Sequence, residues 1–241
     1  MINLIPLSSE VVVERRRAFL PGGSAADTIQ LLLAMTLQVV LVLLVFVALW
    51  ESRWLVAFTA AGFVGLTFLP SLLKRQFGLF LPNEVILLNT FFLFGSFALG
   101  EFQRFYERFW WWDLMLHGLS AFVMGMFGFL VIYIYEKAGR ITVRPFFMTV
   151  VAYCIAIAIG AMWEVFEFLM DYGFGFNMQK SGLVDTMTDM MMNQAGALVA
   201  VVIGYIYVRT GKGLFIGVIA RKLVKLNPHL FKKMKARLSK G

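Results

Sequence analysis

Six stretches of 17 to 26 predominantly apolar residues follow one another with short polar gaps: residues 28–50, 54–73, 84–100, 113–135, 145–169 and 183–208. A bilayer core about 30 Å thick takes roughly 20 residues of helix to cross. Six such runs in 241 residues predict an all-α, polytopic transmembrane helical bundle of about six spans. Composition agrees. The chain is 60% hydrophobic and 15% charged, with a mean hydropathy of +0.79, where soluble domains carry about 25% charged residues. The connections are short, so neighbouring helices are expected to be antiparallel. No linker or low-complexity segment divides the chain. Residues 1–241 read as one transmembrane domain that ends in a basic tail, residues 209–241.

Several classes are excluded. Aromatic residues make up 16% of the chain, which rules out disorder. One Cys rules out a disulfide framework and thiolate-rich metal sites. Two His are too few for His-rich di-iron chemistry. The Pro-Ser-Gly-His core of lipid phosphatases and the Asp-x2-Asp-Gly-x2-Ala-Arg box of CDP-alcohol transferases are both absent, and no Ser–His pair resembles a rhomboid protease.

Lys and Arg placement sets the expected orientation. One set of helix ends, together with the tail, holds 18 of the 22 basic residues, among them Arg15–Arg17, Lys74, Arg75, Lys137, Arg140 and Arg144. The opposite ends hold only Arg53, Arg104, Arg108 and Lys180. The alternation is consistent through all six spans and puts both termini in the cytoplasm. Nine of the 14 acids fall on the other, outer side. Segments Ile2–Leu20 and Leu214–Leu238 read as amphipathic and interfacial. In the second, Leu214, Phe215, Val218 and Ile219 recur at helical spacing before a run of basic residues, a pattern suited to an anionic inner leaflet. Nothing in this tail resembles a nucleic-acid module, so no nucleic-acid partner is expected.

Three spans share a stripe of small and polar residues. Asp113, His117, Ala121 and Gly125 recur every four residues. So do Ala152, Ala156, Gly160 and Glu164, and again Asp185, Asp189, Asn193 and Ala197. Small residues let helices approach closely in lipid. Packing through them brings the polar ends together near the outer interface, with His117 about 6 Å deeper than Asp113 at 1.5 Å per residue. Ionisable groups in a span face the bundle interior and mark function. So many carboxylates either share protons or are neutralised by a cation. The expected metal ligands are Asp113, His117, Glu164, Glu167, Asp185, Asp189 and Asn193. Oxygen donors with one imidazole suit Mg²⁺, Mn²⁺ or Ca²⁺ ahead of Zn²⁺. Asp113 and Asp185 also stand at helix N-termini, where acids serve as caps. Methionines crowd the sixth span (Met187, Met190, Met191 and Met192). Thioethers select Cu(I), but adaptable packing explains them better.

The connection from Glu101 to Trp112 alternates aromatics with charges, as an interfacial helix does. It reads as an aromatic belt, or as a lid over the cluster with Arg104 or Arg108 on a substrate phosphate.

Asp113-x3-His117, Glu164-x2-Glu167 and Asp189-x3-Asn193-x2-Gly196 together resemble the VanZ-like membrane proteins. Trp163-Glu164-Val165-Phe166-Glu167, followed by Gly182-Leu183-Val184-Asp185-Thr186-Met187-Thr188-Asp189, is closest to the related YjdF-like group. The resemblance covers roughly residues 113–196 and implies a compact polytopic fold in the bacterial cytoplasmic membrane. It supplies no established reaction. VanZ-like proteins are associated with lower susceptibility to glycopeptide antibiotics; Leu114 stands where they usually carry Lys, and Glu167 where they carry Gln, and both departures weigh against carrying that role over.

Three functions fit the residues. The first is an enzyme or binding protein for an amphiphilic, phosphate-bearing lipid, with a divalent cation polarising phosphate oxygens and His117 or Glu164 as general base. The second is an accessory subunit whose exposed spans meet a membrane-protein partner or a second copy of the chain. The third is a proton-coupled transporter, although the inner halves of the spans lack ionisable residues and no inverted repeat or broken helix pair is apparent.

Overall fold

The structure is a computed structural model that describes residues 25–137, 139–211 and 213–228. The expected interfacial segment Ile2–Leu20, and the tail beyond residue 228, lie outside the described residues. All regular structure among the described residues is helical, as expected. Five helices are long and apolar enough to span a membrane, and a bent pair makes a sixth candidate span. The described residues divide into two compact units, 25–97 with 225–227, and 98–224 with 228.

The first unit contains α1 (Ala25–Trp50), α2 (Trp54–Thr67), α3 (Leu69–Phe77) and α4 (Asn83–Phe94). Helix α1 packs against α2 and α4, burying Ala34, Leu41 and Ala48 on its own side and Ala57 and Ala60 on α2. Its other faces carry Leu32, Leu43 and Phe46, all more than half exposed, as lipid-facing residues are. Several polar side chains here pair across the unit, while Gln30 Oε1 and Asn89 Nδ2 are buried without a hydrogen-bond partner. Gln38 Nε2 donates to Thr67 Oγ1 at 2.6 Å, and Asn83 Nδ2 to the Asp27 carbonyl at 3.2 Å. The buried side chain of Asn227 both accepts from Phe80 N–H and donates to Phe80 C=O, at 2.8 Å each.

The stretch expected as one straight span, residues 54–73, is instead bent by 45° between α2 and α3. Pro70, in the first turn of α3, has no N–H to give the Leu66 carbonyl and its ring crowds that oxygen. The chain therefore stops at Phe68 and restarts with Pro where Pro is tolerated. The expectation that no broken helix pair exists is corrected accordingly. A second departure follows α4. Gly95–Phe102 is π-helical, so the third span runs past residue 100 with an altered register.

The second unit is built on α6 (Trp112–Lys137), α7 (Pro145–Phe174) and α8 (Leu183–Thr210), preceded by the single turn α5 (Phe105–Arg108). Connections of seven and eight residues join the three long helices. Their stripes of small residues meet in the centre, where Ala121, Ala156 and Ala197 form one buried cluster. The closest approach is at Gly196, where a Cβ would overlap the backbone carbonyl of Gly118. At this point α6 and α8 are in backbone contact, and only glycine permits it. Outward faces are apolar: Phe146, Phe147, Val165 and Phe168 on α7, and Leu198 and Val199 on α8, are all more than half exposed.

Helix α9 (Leu214–Leu226) covers the start of the expected second interfacial segment. Ile219, Ala220 and Leu223 are buried, while Val218 is 39% exposed. Part of the apolar face expected to lie on lipid is thus taken up by protein.

Candidate metal centre

Asp113 lies in the first turn of α6 and His117 one turn further in. Asp185 occupies the first turn of α8, with Asp189 and Asn193 on the two turns that follow. Glu164 approaches from α7, which reaches this end of the bundle by its C-terminal half. The packing of Ala121, Ala156 and Ala197 fixes the relative height of the three stripes, so the polar positions meet at one level. Gly160 makes room for them: a Cβ there would come within 2.8 Å of Asn193 Nδ2.

His117 is the hub. Its Nδ1 lies 3.4 Å from Glu164 Oε1 and 3.4 Å from Asn193 Nδ2. Its Nε2 lies 3.7 Å from Asp113 Oδ1 and 3.8 Å from Asp189 Oδ2. In the tautomer with the proton on Nε2, Nδ1 accepts from the Asn193 amide; in the other, Nδ1–H faces Glu164 Oε1. His117, Glu164, Asp189 and Asn193 are 7%, 4%, 1% and 2% exposed.

The donor atoms sort into two groups. One ligand atom each from His117, Glu164 and Asp189 lie within 4.8 Å of one another, and so do atoms from Asp113, Asp185 and Asp189. A central ion 2.0–2.6 Å from each donor spans such distances. Both Glu164 oxygens, Asp185 Oδ2, Asp189 Oδ2 and Asn193 Oδ1 are buried without a hydrogen-bond partner. Burying a polar atom unpaired costs about 1–3 kcal/mol, and more for a charged one. Five converging orphan oxygens therefore call for protons or a cation.

The remaining expected residues are placed differently. Glu167 is buried, but it belongs to neither group of donors. Its Oε1 accepts from Trp163 Nε1 at 2.9 Å, one turn back on α7. Arg104 and Arg108 are exposed on the α5 turn, and Arg104 pairs with Glu107 at 2.8 Å. The basic group that does reach the cluster is Lys180, which is not among the expected site residues. Its Nζ lies 3.7 Å from Asp113 Oδ2 and 4.1 Å from the centre of the Tyr106 ring. The signal was there. Lys180 sits in the eight-residue connection between α7 and α8, too short to stray from the cluster. Asp171 folds that connection back by accepting from Met178 N–H and Gln179 N–H at 2.7 and 2.8 Å. Among the methionines, Met191 is 66% exposed, whereas the Met192 methyl packs near Gly118.

The helices and this interior polar cluster define a polytopic α-helical membrane protein. More particularly, the chain belongs to the family described as "Predicted membrane protein (DUF2238)", which matches residues 29–210. It is also similar to an uncharacterized protein of Thermotoga maritima, at 29% identity over 117 residues. That match covers 48% of this chain and 59% of the relative, so the chain spans less than two thirds of that relative's length. No solved structure matches. The resemblance drawn from the motifs is thereby shown at the level of a membrane-protein family.

Proposed function

We propose that the protein binds a divalent cation in the His117–Glu164–Asp189–Asn193 pocket and, through it, an amphiphilic phosphate-bearing lipid at the outer face of a bacterial cytoplasmic membrane. The observation that carries this reading is the set of buried oxygens without donors around one imidazole. Mg²⁺, Mn²⁺ or Ca²⁺ suits that set ahead of Zn²⁺. Orientation rests on the basic ends. Lys137, Arg144 and Arg209 lie at the helix ends opposite the cluster, which makes that side cytoplasmic by the positive-inside rule. The likeness of Asp113-x3-His117 and Asp189-x3-Asn193 to VanZ-like and YjdF-like proteins supports the same membrane. No Asp, Glu, His, Lys or Arg follows the cluster inward until Glu136 on α6, Arg144 before α7 and Arg209 on α8. The pocket therefore reads as a dead end, and a binding or catalytic site is favoured over a proton path. In a catalytic role His117 or Glu164 is the general base. Lys180 at the rim, with Arg104 and Arg108 on the adjoining turn, supplies positive charge for a phosphate.

The test uses the full chain in nanodiscs of zwitterionic lipid. Metal content is measured after loading and washing, for wild type and His117→Ala. Binding of dodecyl phosphate and of dodecanol is followed by tryptophan fluorescence, with and without Mn²⁺. Cation-dependent binding of dodecyl phosphate alone, lost in His117→Ala, is the expected result. Wild type without bound metal refutes the reading.

A further inference from the structure

We infer that the cluster holds two cations, with Asp189 as the carboxylate shared between them; this rests on the cation reading above and extends it to a second site. The two groups of donors have one member in common. His117, Glu164 and Asp189 form the inner group, and Asp113, Asp185 and Asp189 the outer one. Asp189 is 1% exposed, and its Oδ2 has no hydrogen-bond partner. A carboxylate so placed is ready to bridge. The inner group has a further neutral donor in Asn193 Oδ1, which is 2% exposed by residue and likewise unpartnered. The outer group has an unpartnered buried oxygen of its own, Asp185 Oδ2. Each position therefore has an orphan donor beyond the shared residue.

Charge makes the same case. Asp113, Glu164, Asp185 and Asp189 bring four negative charges when ionised. Lys180, 3.7 Å from Asp113 Oδ2, is the cation the structure places against them. With all four carboxylates ionised, one divalent ion together with Lys180 leaves the pocket one charge negative, and a phosphate reaches the ion against that field. Two divalent ions neutralise the four carboxylates and leave the Lys180 ammonium in excess at the rim. The doubly loaded pocket therefore holds an anionic headgroup more strongly than the singly loaded one. Paired ions in such sites stand about 3.5–4 Å apart, a distance at which two oxygens of one phosphoryl group reach one ion each. The ligand class is accordingly a phosphate ester with at least two free oxygens. Lys180 plays two parts. It competes with the second ion for Asp113, and once displaced it faces the headgroup.

The full chain, stripped with EDTA and reconstituted in nanodiscs, is titrated with Mn²⁺, and free Mn²⁺ is counted by electron paramagnetic resonance. Wild type is expected to take two ions per chain, the second more weakly, and the loaded protein to give the spectrum of a spin-coupled pair. Asp185→Asn, on the half-exposed side, is expected to keep one uncoupled ion, and Asp113→Asn to do the same. Lys180→Met is expected to tighten the second ion by at least about tenfold, since a nearby like charge is gone. One ion per chain in wild type, with no coupling, overturns the two-ion arrangement and leaves the single-cation reading standing. Two ions retained in both Asp185→Asn and Asp113→Asn overturn it as well. No bound ion in wild type overturns the cation reading itself.

Discussion

Replacing Asp189 by Asn separates a site held together by an ion from one held together by shared protons. Asp189 shares each group of donors with another carboxylate whose ligand oxygen lies within 4.8 Å. At an effective dielectric constant of about 20, two charges at that distance repel by roughly 3.5 kcal/mol. Without a cation, Asp189→Asn removes that repulsion at a side chain 1% exposed, and the variant gains up to about 3 kcal/mol. With a cation at 100 times its dissociation constant, wild type gains about 2.7 kcal/mol from binding. The variant gains almost none of this, because the shared ligand is lost. The assay is thermal unfolding of both proteins in nanodiscs, in EDTA and in millimolar Mn²⁺. Wild type is expected to shift upward with Mn²⁺ and Asp189→Asn to stay where it is, above wild type in EDTA. Wild type indifferent to Mn²⁺, with a variant less stable than wild type in both buffers, would refute the argument. Asp189 would then be stabilised by donors already in the protein.

Gly196→Leu puts a side chain into the Gly118 carbonyl, where backbone must move, so it should cost at least about 3 kcal/mol. Gly62→Ala, with nothing within 4 Å of its Cβ position, should be neutral or stabilising by up to about 1 kcal/mol; chemical denaturation of both reads the contrast. Gly160→Ala displaces the Asn193 amide and should weaken Mn²⁺ binding more than it lowers the melting temperature, as titration and melting of the same sample report. Asp171→Ala removes two backbone hydrogen bonds to a carboxylate, each worth about 1.5–3 kcal/mol, and should expose the connection at residues 175–182 to proteolysis. Asn227→Ala breaks both bonds to Phe80 and should destabilise the first unit by about 2 kcal/mol.

The three stripes were legible because membrane-spanning helices leave polar and small residues few places to go. Residues four apart share a face, and that face must be interior when it carries Asp189 and Asn193 while the other faces carry Met187, Met191, Leu198 and Val199. One rule therefore gave both the helix pairing at Ala121, Ala156 and Ala197 and the meeting of His117 with Glu164 at 3.4 Å. Span limits followed from hydropathy to within a few residues, as at Trp50 for α1 and Pro145 for α7. The bend at Phe68 did not, because hydropathy runs unbroken through Leu69 and Pro70 and only the missing N–H marks the site. The π-helical turn at Gly95–Phe102 has no compositional mark at all.

Connections escape the stripe rule. Charge and closeness in sequence point to Arg104 and Arg108. Arg104, however, takes a left-handed backbone conformation at φ 60° and pairs with Glu107 three residues on. Lys180 bears on topology by its charge, and its position follows from two constraints that the sequence contains. Eight residues must join Phe174 to Leu183, and Asp171 can cap a chain that turns back over the helix end. A short connection between two helices whose ends both carry acids puts its own residues over those acids, and a Lys there completes the charge. Glu167 shows the opposite case. The Trp163–Glu167 spacing of four already allowed the indole to take that carboxylate, as it does at 2.9 Å. A carboxylate with a donor one turn away on its own helix has a partner within its own element, whereas Glu164 has none on α7 and depends on groups from the facing helices. The hydrogen-bond donors within reach on its own helix, more than the number of acids nearby, decide which carboxylates must find a partner elsewhere.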